Sequence, residues 1–564
     1  MKNLVFFYLI CTLGIYALPQ SIESLIQHST LAQKDVSIYI KEVGTNGRVI
    51  VSHNAQTART PASVIKVLGT YASLLKLGFN YRFPTKFYTT GSLRNGILHG
   101  DIIVKGFGDP TLNSKDLKEI VRNIHALGIQ KITGHIVIDR SYFRVGTKDS
   151  SGFDEHPYSP YNAMPDAMMF NERVSTICVT PNKNDISKKS ADGSYTITNQ
   201  LKRVNKPCKG RYSWPGIKID KTKVMPNVLL RGKISQRCGT RNICKVVTKP
   251  YLSFYYALKE ALKKEGITVA GNMRLRKVPQ NARLLFTHYS GSLEEIVSKT
   301  AKKSNNLYAR HLLLTLGAKI YGAPATVDKG RRAVENILRE KGALGTGVLQ
   351  IDNGCGLSRS AKLTAKLLAD MLDNAYERYG QRWMNTLSIA GVDGTIKRRF
   401  RGTVVKNRAW MKTGTLKRVK NISGYVKSKM GRLYTVVILT HTTKGHWKAA
   451  QLQNDIIKWL VNYKAKGTVR KIQNSKDTSS LWSMEVHDPF SDSGNKYYVQ
   501  AGSFVTQPTK AYFLRIERLG LPYKMRHLGK YKVLIGAYAQ EKDARTALEM
   551  VRKYLNTGAF IVKL

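Results

Sequence analysis

The sequence predicts an α/β (α+β) fold in several domains: a main domain built from two chain segments, β-rich inserted domains between them, and a small C-terminal βαββαβ domain. Three observations carry this. The chain has 564 residues, which at about 150 residues per domain gives roughly four pieces, and its 42% apolar content is ample for buried cores. Strand and helix patterns over 24–86 and again over 286–463 flank a stretch of short strands at 87–285. Near the end, Val499-Gln-Ala-Gly502-Ser-Phe504 repeats as Val533-Leu-Ile-Gly536-Ala-Tyr538, each copy followed by a helical segment, and two such halves make a βαββαβ sheet with helices on one face.

In chain order, Lys2 precedes an apolar run from Leu4 to Tyr16 and a small residue, Ala17. This is the pattern of a Sec signal peptide over 1–17, too short for the roughly 20 apolar residues of a spanning helix. It predicts export, with the periplasm as destination. Cys11 lacks the small residues that precede a lipidated cysteine. Val36–Glu42 and Gly47–Ser52 alternate as a hairpin, and Pro61 opens a helix that runs to Gly78. Within the insertion, Gly96–Gly106 predicts a hairpin, Lys115–Leu127 and Phe254–Glu265 predict helices, and 174–246 predicts short strands. The second main segment predicts helices over Leu293–Leu316, Thr364–Tyr376 and Trp447–Tyr463, with strands over Ala409–Thr415, Ile422–Ser428 and Leu433–His441. A polar linker follows at 464–493. In the final domain, 494–564, strand alternation turns Val499, Ala501, Val533 and Ile535 toward the helices. It leaves Tyr498 and Gln500, with Lys532 and Leu534, on an open face.

Lysine and arginine number 92 against 37 acidic residues, a net charge of +55. Such a field attracts anionic surfaces; for an exported chain these are membrane headgroups and cell-wall carboxylates, and no nucleic acid is expected. An oxidising compartment permits disulfides. Cys238 and Cys244 flank a short turn and are expected to pair, Cys178 and Cys208 make a second candidate pair, and Cys355 is left free, although four cysteines allow three connectivities. Neither Cys-x-x-Cys nor His-Glu-x-x-His occurs, so neither metal nor cofactor is expected.

The chemistry lies in three motifs in fixed order: Ser63-Val-Ile-Lys66, Ser304-Asn305-Asn306 and Lys412-Thr413-Gly414. A serine is a poor nucleophile until a base takes its proton. Lys66, one helical turn on, lies on the same face as Ser63 and acts as that base if burial keeps it neutral. Ser63 begins a helix, so its N–H is half an oxyanion hole. Ser304 and Asn306 supply a proton relay and a grip on the substrate amide. Lys412 and Thr413 hold a terminal carboxylate, Gly414 lets the substrate backbone approach, and the Thr415 N–H completes the oxyanion hole. Ser-x-x-Lys recurs at Ser73–Lys76, but 241 residues separate Ser63 from Ser304, and only Ser304–Asn306 lies between the other two motifs.

With the long insertion, these motifs resemble the type-4 low-molecular-mass penicillin-binding proteins, the D-Ala-D-Ala carboxypeptidase/endopeptidase family. The resemblance covers about Ser24 to Tyr463 and extends to Gly108-Asp-Pro-Thr-Leu112, Asp352-Asn-Gly-Cys-Gly-Leu-Ser-Arg359 and Ala390-Gly-Val-Asp-Gly-Thr395. It implies a penicillin-binding-protein/serine β-lactamase-like catalytic domain, an acyl-enzyme on Ser63, peptidoglycan stem peptides as substrate and β-lactam antibiotics as covalent inhibitors. Arg359 falls at an arginine used near the substrate side chain. The family's acidic contact to the stem peptide would fall near Tyr161-Asn-Ala163, where no acid stands, with Asp166 close by. The tail resembles a SPOR domain, a module that binds denuded glycan strands, with Tyr498 and Gln500 as candidate glycan contacts. The alternatives are a serine β-lactamase, against which the long separation of the motifs argues, and a non-catalytic wall-binding protein.

Overall fold

The computed structural model describes residues 20–44, 47–146, 148–222, 225–464 and 497–563, apart from 507, 520, 522, 529 and 539. The expected signal peptide and nearly all of the expected linker lie outside the described residues. No helix among the described residues is long and apolar enough to cross a membrane. The chain divides into two compact units, one from the described parts of 1–374 and 386–461, the other from 375–385 and 462–564.

The larger unit is organised on a six-stranded sheet. Its strands are β1 (Val36–Glu42), β2 (Val49–His53), β3 (Ser388–Ile389), β4 (Ala409–Leu416), β5 (Val419–Lys427) and β6 (Leu433–His441). They run in the order β2-β1-β6-β5-β4-β3, every neighbouring pair antiparallel. Val436 through Leu439 on β6 are all fully buried, so this central strand is covered on both faces and its apolar run is continuous rather than alternating. The helices α1 (Lys66–Leu77), α2 (Leu293–Lys302), α3 (Asn306–Tyr321) and α4 (Val327–Glu340) form one group, with α1 packed against the other three, and the turn Ala62–Ile65 ahead of α1 meets β4 and β5. The expected single helix over Leu293–Leu316 is broken into α2 and α3. Ser304 takes a left-handed φ of 54°, and Asn305 caps α3 by accepting from the Tyr308 N–H. The short polar side chains of Ser-Asn-Asn compete with the helix backbone and favour such a cap.

Arg82–Thr89 pairs antiparallel with Arg283–Ser292, so the chain leaves for the insertion and returns from it on neighbouring strands. These belong to a five-stranded sheet completed by Ile102–Gly106, Ile136–Asp139 and Met273–Leu275. The helices Leu117–Ala126 and Pro250–Lys264 bury Ile120, Ile124, Phe254 and Leu258 in the core that holds this sheet's Phe87, Val104 and Ile138. A further β-rich part carries two three-stranded sheets around Ile177, Val228, Leu230 and Ile243.

The disulfide there joins Cys208 to Cys238, with Cα atoms 5.2 Å apart. This corrects both expected pairings. Cys244 lies inside the strand Arg241–Lys245, opposite Thr176, and Cys178 lies opposite Asn242, so strand pairing holds these two away from Cys238 and Cys208. Cys178, Cys244 and Cys355 are free.

The smaller unit has the expected βαββαβ order, with strands Tyr497–Phe504, Tyr523–Leu528, Lys530–Tyr538 and Phe560–Lys563 and helices Lys510–Leu519 and Glu541–Tyr554. Val499, Ala501, Val533 and Ile535 join Ile516, Ala544, Ala547 and Val551 in its core, as the alternation predicts. Tyr498 departs from expectation. It is only 5% exposed, because the Lys524 ammonium lies 4.3 Å from its ring centre and bonds its hydroxyl at 2.8 Å. Leu534 beside it is buried as well. Of the two candidate glycan contacts, Gln500 keeps partial exposure and Tyr498 does not.

Candidate active site

Ser63 lies in a 3₁₀ turn, Ala62–Ile65, which runs straight into α1. This tighter turn eclipses residues three apart, so Lys66 falls directly over Ser63. Its Nζ stands 2.7 Å from Ser63 Oγ and 2.8 Å from Asn306 Oδ1, and it also donates to the Cys355 carbonyl. An ammonium has three N–H donors, and all three are engaged. Lys66 is 1% exposed, and burial, with Arg310 as a smaller contribution, pulls its pKa down to about 8 against a weaker opposing effect at Cys355. Loss of one proton from this ammonium leaves a lone pair among the same acceptors, of which Ser63 Oγ alone can turn round and donate.

Lys412, on β4, is fully buried, donates to Ser304 Oγ at 2.9 Å and to its neighbour's carbonyl, Thr413 O, at 2.7 Å. Burial, and next the charge of Lys66, push its pKa well below the ordinary lysine value. Two buried ammonium groups near each other repel, and an incoming carboxylate would favour the charged form of the one it meets.

Close backbone contact assembles the motifs. A Cβ on Gly414 would come within 2.9 Å of Pro61 O and 3.0 Å of Ser63 N, so glycine lets β4 lie directly against the turn that carries Ser63. Asn421 on β5 locks that contact. Its Nδ2 donates to Thr60 O at 3.0 Å and Pro61 O at 2.9 Å, while its Oδ1 accepts from Thr440 N on β6. Beside Lys66, Asn353 Oδ1 accepts from the Cys355 and Gly356 N–H groups. This shapes the turn that turns the Cys355 carbonyl toward Lys66.

The structure therefore brings Ser63, Lys66, Ser304, Asn306 and Lys412 into one cluster. Thr413 Oγ1 is tied to Thr395 Oγ1 at 2.9 Å, and Thr415 is exposed at the end of β4. Arg359 stays apart. It is exposed, with its guanidinium 5.1 Å from the ring centre of Phe153, and none of its contacts is to a motif residue. Asp166 is 1% exposed and is taken by Arg140, so it has no carboxylate to offer a substrate. Sequence reasoning passed over Asn421, Asn353 and the Tyr161 carbonyl, which accepts from Asn306 Nδ2 at 3.0 Å. Backbone acceptors leave no sequence signal, and a lone asparagine leaves a weak one. Among the described residues no three His, Cys, Asp or Glu side chains gather to hold a metal.

A hydroxyl hydrogen-bonded to a buried, readily deprotonated amine, beside a second buried lysine, is equipment for acyl transfer through a covalent serine intermediate. The chain belongs to the D-Ala-D-Ala carboxypeptidase 3 (S13) family, whose model matches residues 18–463, and it is a hydrolytic peptidase. It is 28% identical over 437 residues to a D-alanyl-D-alanine carboxypeptidase of Actinomadura sp. (strain R39), covering 74% of this chain and 79% of that protein. It is 28% identical over 429 residues to the D-alanyl-D-alanine carboxypeptidase DacB of Haemophilus influenzae, covering 72% and 86%. The crystal structure of penicillin binding protein 4 (dacB) from Haemophilus influenzae shares the fold, with a TM-score of 0.67 at 24% identity over 78% of this chain and 99% of that one. The same protein complexed with a novel β-lactam gives a TM-score of 0.64 at 24% identity, over 78% and 100%.

Proposed function

We propose that Ser63 is the nucleophile of a D-Ala-D-Ala carboxypeptidase that also opens peptide cross-links of peptidoglycan. The observation that carries this is the 2.7 Å contact between Ser63 Oγ and the Lys66 Nζ at a site where Lys66 is buried. Neutral Lys66 takes the Ser63 proton as Oγ attacks the carbonyl carbon between the two D-alanines. The oxyanion forms against the Ser63 and Thr415 N–H groups. Ser304, held by Lys412, relays that proton from Lys66 to the departing amine, the C–N bond breaks, and an ester on Ser63 remains with Lys66 neutral again. Water then attacks the ester carbon, neutral Lys66 takes the water proton and passes it to Ser63 Oγ as the ester C–O bond breaks, and the shortened stem peptide leaves with its new carboxyl group. Lys412 and Thr413 hold the terminal carboxylate. A β-lactam presents a comparable carbonyl and carboxylate, and the relative solved in complex with a β-lactam supports β-lactam binding here; in this reading the ring opens to leave the same kind of ester on Ser63.

The test is labelling by a fluorescent penicillin. Wild-type protein is expected to carry the label on the peptide containing Ser63, and Ser63→Ala to carry none. Label on any other serine of that variant, Ser73 included, would refute the assignment. Digestion of cross-linked peptidoglycan then separates released D-alanine from opened cross-links.

The C-terminal unit serves, in this reading, as a SPOR-like anchor for peptide-free glycan strands, which places the enzyme in the periplasm at the wall. Partly exposed Gln500 is the remaining candidate contact. Protein lacking 464–564 is expected to pellet several-fold less with peptide-free sacculi than full-length protein, while penicillin still labels Ser63. Equal pelleting of the two forms would remove the anchor role. Binding to intact and peptide-free sacculi alike, lost as salt rises, would assign it to charge alone.

A further inference from the structure

Asn171, Glu172 and Arg173, within the insertion, form a turn in which three consecutive non-glycine residues take left-handed φ values of 47°, 53° and 58°. Such a run is costly for L-residues and persists only where the surroundings over-determine it. Here both flanks are clamped. Asn171 donates its N–H to Leu112 O at 2.9 Å and accepts from the Ser114 N–H at 3.1 Å through Oδ1. Arg173, 5% exposed, donates to Met164 O at 2.9 Å and pairs with Asp149. Between the clamps Glu172 faces the middle motif. Its Oε1 accepts from Lys299 Nζ at 2.7 Å and from Tyr308 Oη at 3.0 Å, and its Oε2 accepts from Asn305 Nδ2 at 2.9 Å.

The last contact connects this turn to the chemistry. Asn305 has one amide oxygen and one amide nitrogen, and the structure uses both. The oxygen caps α3 at the Tyr308 N–H, 3.1 Å away, and the nitrogen is held by Glu172. Its two neighbours are the residues that meet the lysines, Ser304 at Lys412 and Asn306 at Lys66. A side chain pinned at both ends of its amide fixes the backbone on either side, including the left-handed Ser304 at φ 54°.

We infer that Glu172 is a positioning residue for acyl transfer: from the insertion, it orients Asn305 and thereby sets Ser304 and Asn306 against Lys412 and Lys66. It touches neither substrate nor nucleophile. This rests on the proposed roles of Ser63 and its partners, and the strained turn is what delivers its carboxylate to the motif from a separate part of the chain.

The test is a double-mutant cycle on the full-length chain, reading the second-order rate of acylation by penicillin together with the thermal midpoint. Glu172→Ala is expected to slow acylation about thirtyfold with the midpoint moved by only a few degrees, as a misplacement of about 1 Å costs on the order of a hundredfold. Asn305→Ala is expected to do the same. The double variant should be no slower than the slower single one, because both changes break one connection. Glu172→Gln, which keeps the shape and one acceptor oxygen, is expected to lose less, about fivefold, and serves as the readable variant if the alanine form does not fold. Lys299→Ala removes the partly exposed ion pair but not the Asn305 contact, and should stay within about threefold of wild type. Rates that multiply in the double variant, a wild-type rate in Glu172→Gln and Glu172→Ala, or a Lys299→Ala as slow as Glu172→Ala would each overturn the inference. The Ser63→Ala control separates this from the site assignment: persistent label there refutes the site, whereas its loss beside a fast Glu172 variant refutes Glu172 alone.

Discussion

Lys66→Arg is expected to slow penicillin acylation of Ser63 by about a thousandfold, the order that general-base catalysis contributes. The guanidinium keeps the charge and roughly the length of lysine but does not deprotonate in a protein, so the variant separates a base from a mere positive charge. Lys66 titrates at about 8, lowered chiefly by burial. The active form is neutral, so the rate should rise with pH, level off above about 8, and fall roughly tenfold per unit well below it. At pH 7 roughly a tenth of the lysine is neutral. A pH-independent rate between 6 and 8, or an arginine variant near the wild-type rate, would show that another group takes the proton. Stopped-flow measurement with a chromogenic cephalosporin gives both results.

Gly356→Ala should damage both fold and rate. Gly356 has a left-handed φ of 78°, and an added Cβ would lie 1.9 Å from Ala62 O and 2.9 Å from Ser63 N. Backbone oxygen cannot swing aside as a flexible side chain does, so the turn that carries Ser63 must move. Strain and overpacking together are expected to cost about 3 kcal/mol, and a shift of about 1 Å in Ser63 costs on the order of a hundredfold in acylation. Gly342 is the control. Its φ is 63° with nothing within 4 Å of the added atom, so Gly342→Ala should lose about 1 kcal/mol and no activity. Thermal unfolding with acylation rates checks both, and equal behaviour of the two variants would show that the contact at Ala62 is unimportant.

The clustering of the motif residues was legible because acyl-transfer chemistry needs particular side chains at fixed local spacings. Ser63 and Lys66 share a turn, Ser304 and Asn306 share a cap, and Lys412 leads a glycine that admits close approach. β1 and β6 were legible with their limits, Val36–Glu42 and Leu433–His441, since buried strands carry long β-branched and apolar runs. What lay beyond reach depended on tertiary register. The Cys208–Cys238 pairing follows from which strands lie side by side, and nearness in sequence pointed to Cys244 instead. Tyr498 stood on the predicted face, but Lys524 covers it, and alternation says nothing of a neighbour's long side chain. Asn421 and Glu172 bond to groups hundreds or over a hundred residues away, so no local pattern marks them.

The paired crossing strands Arg82–Thr89 and Arg283–Ser292 carry an evolutionary consequence. An excursion that starts and finishes on one ladder can be exchanged whole without disturbing the six-stranded sheet that bears Lys412. Yet this excursion brings the Tyr161 carbonyl to Asn306 and the Glu172 carboxylate to Asn305. A cassette traded between lineages would thus have to restore both contacts to Asn305 and Asn306, so the insertion can vary freely only away from Tyr161 and Glu172.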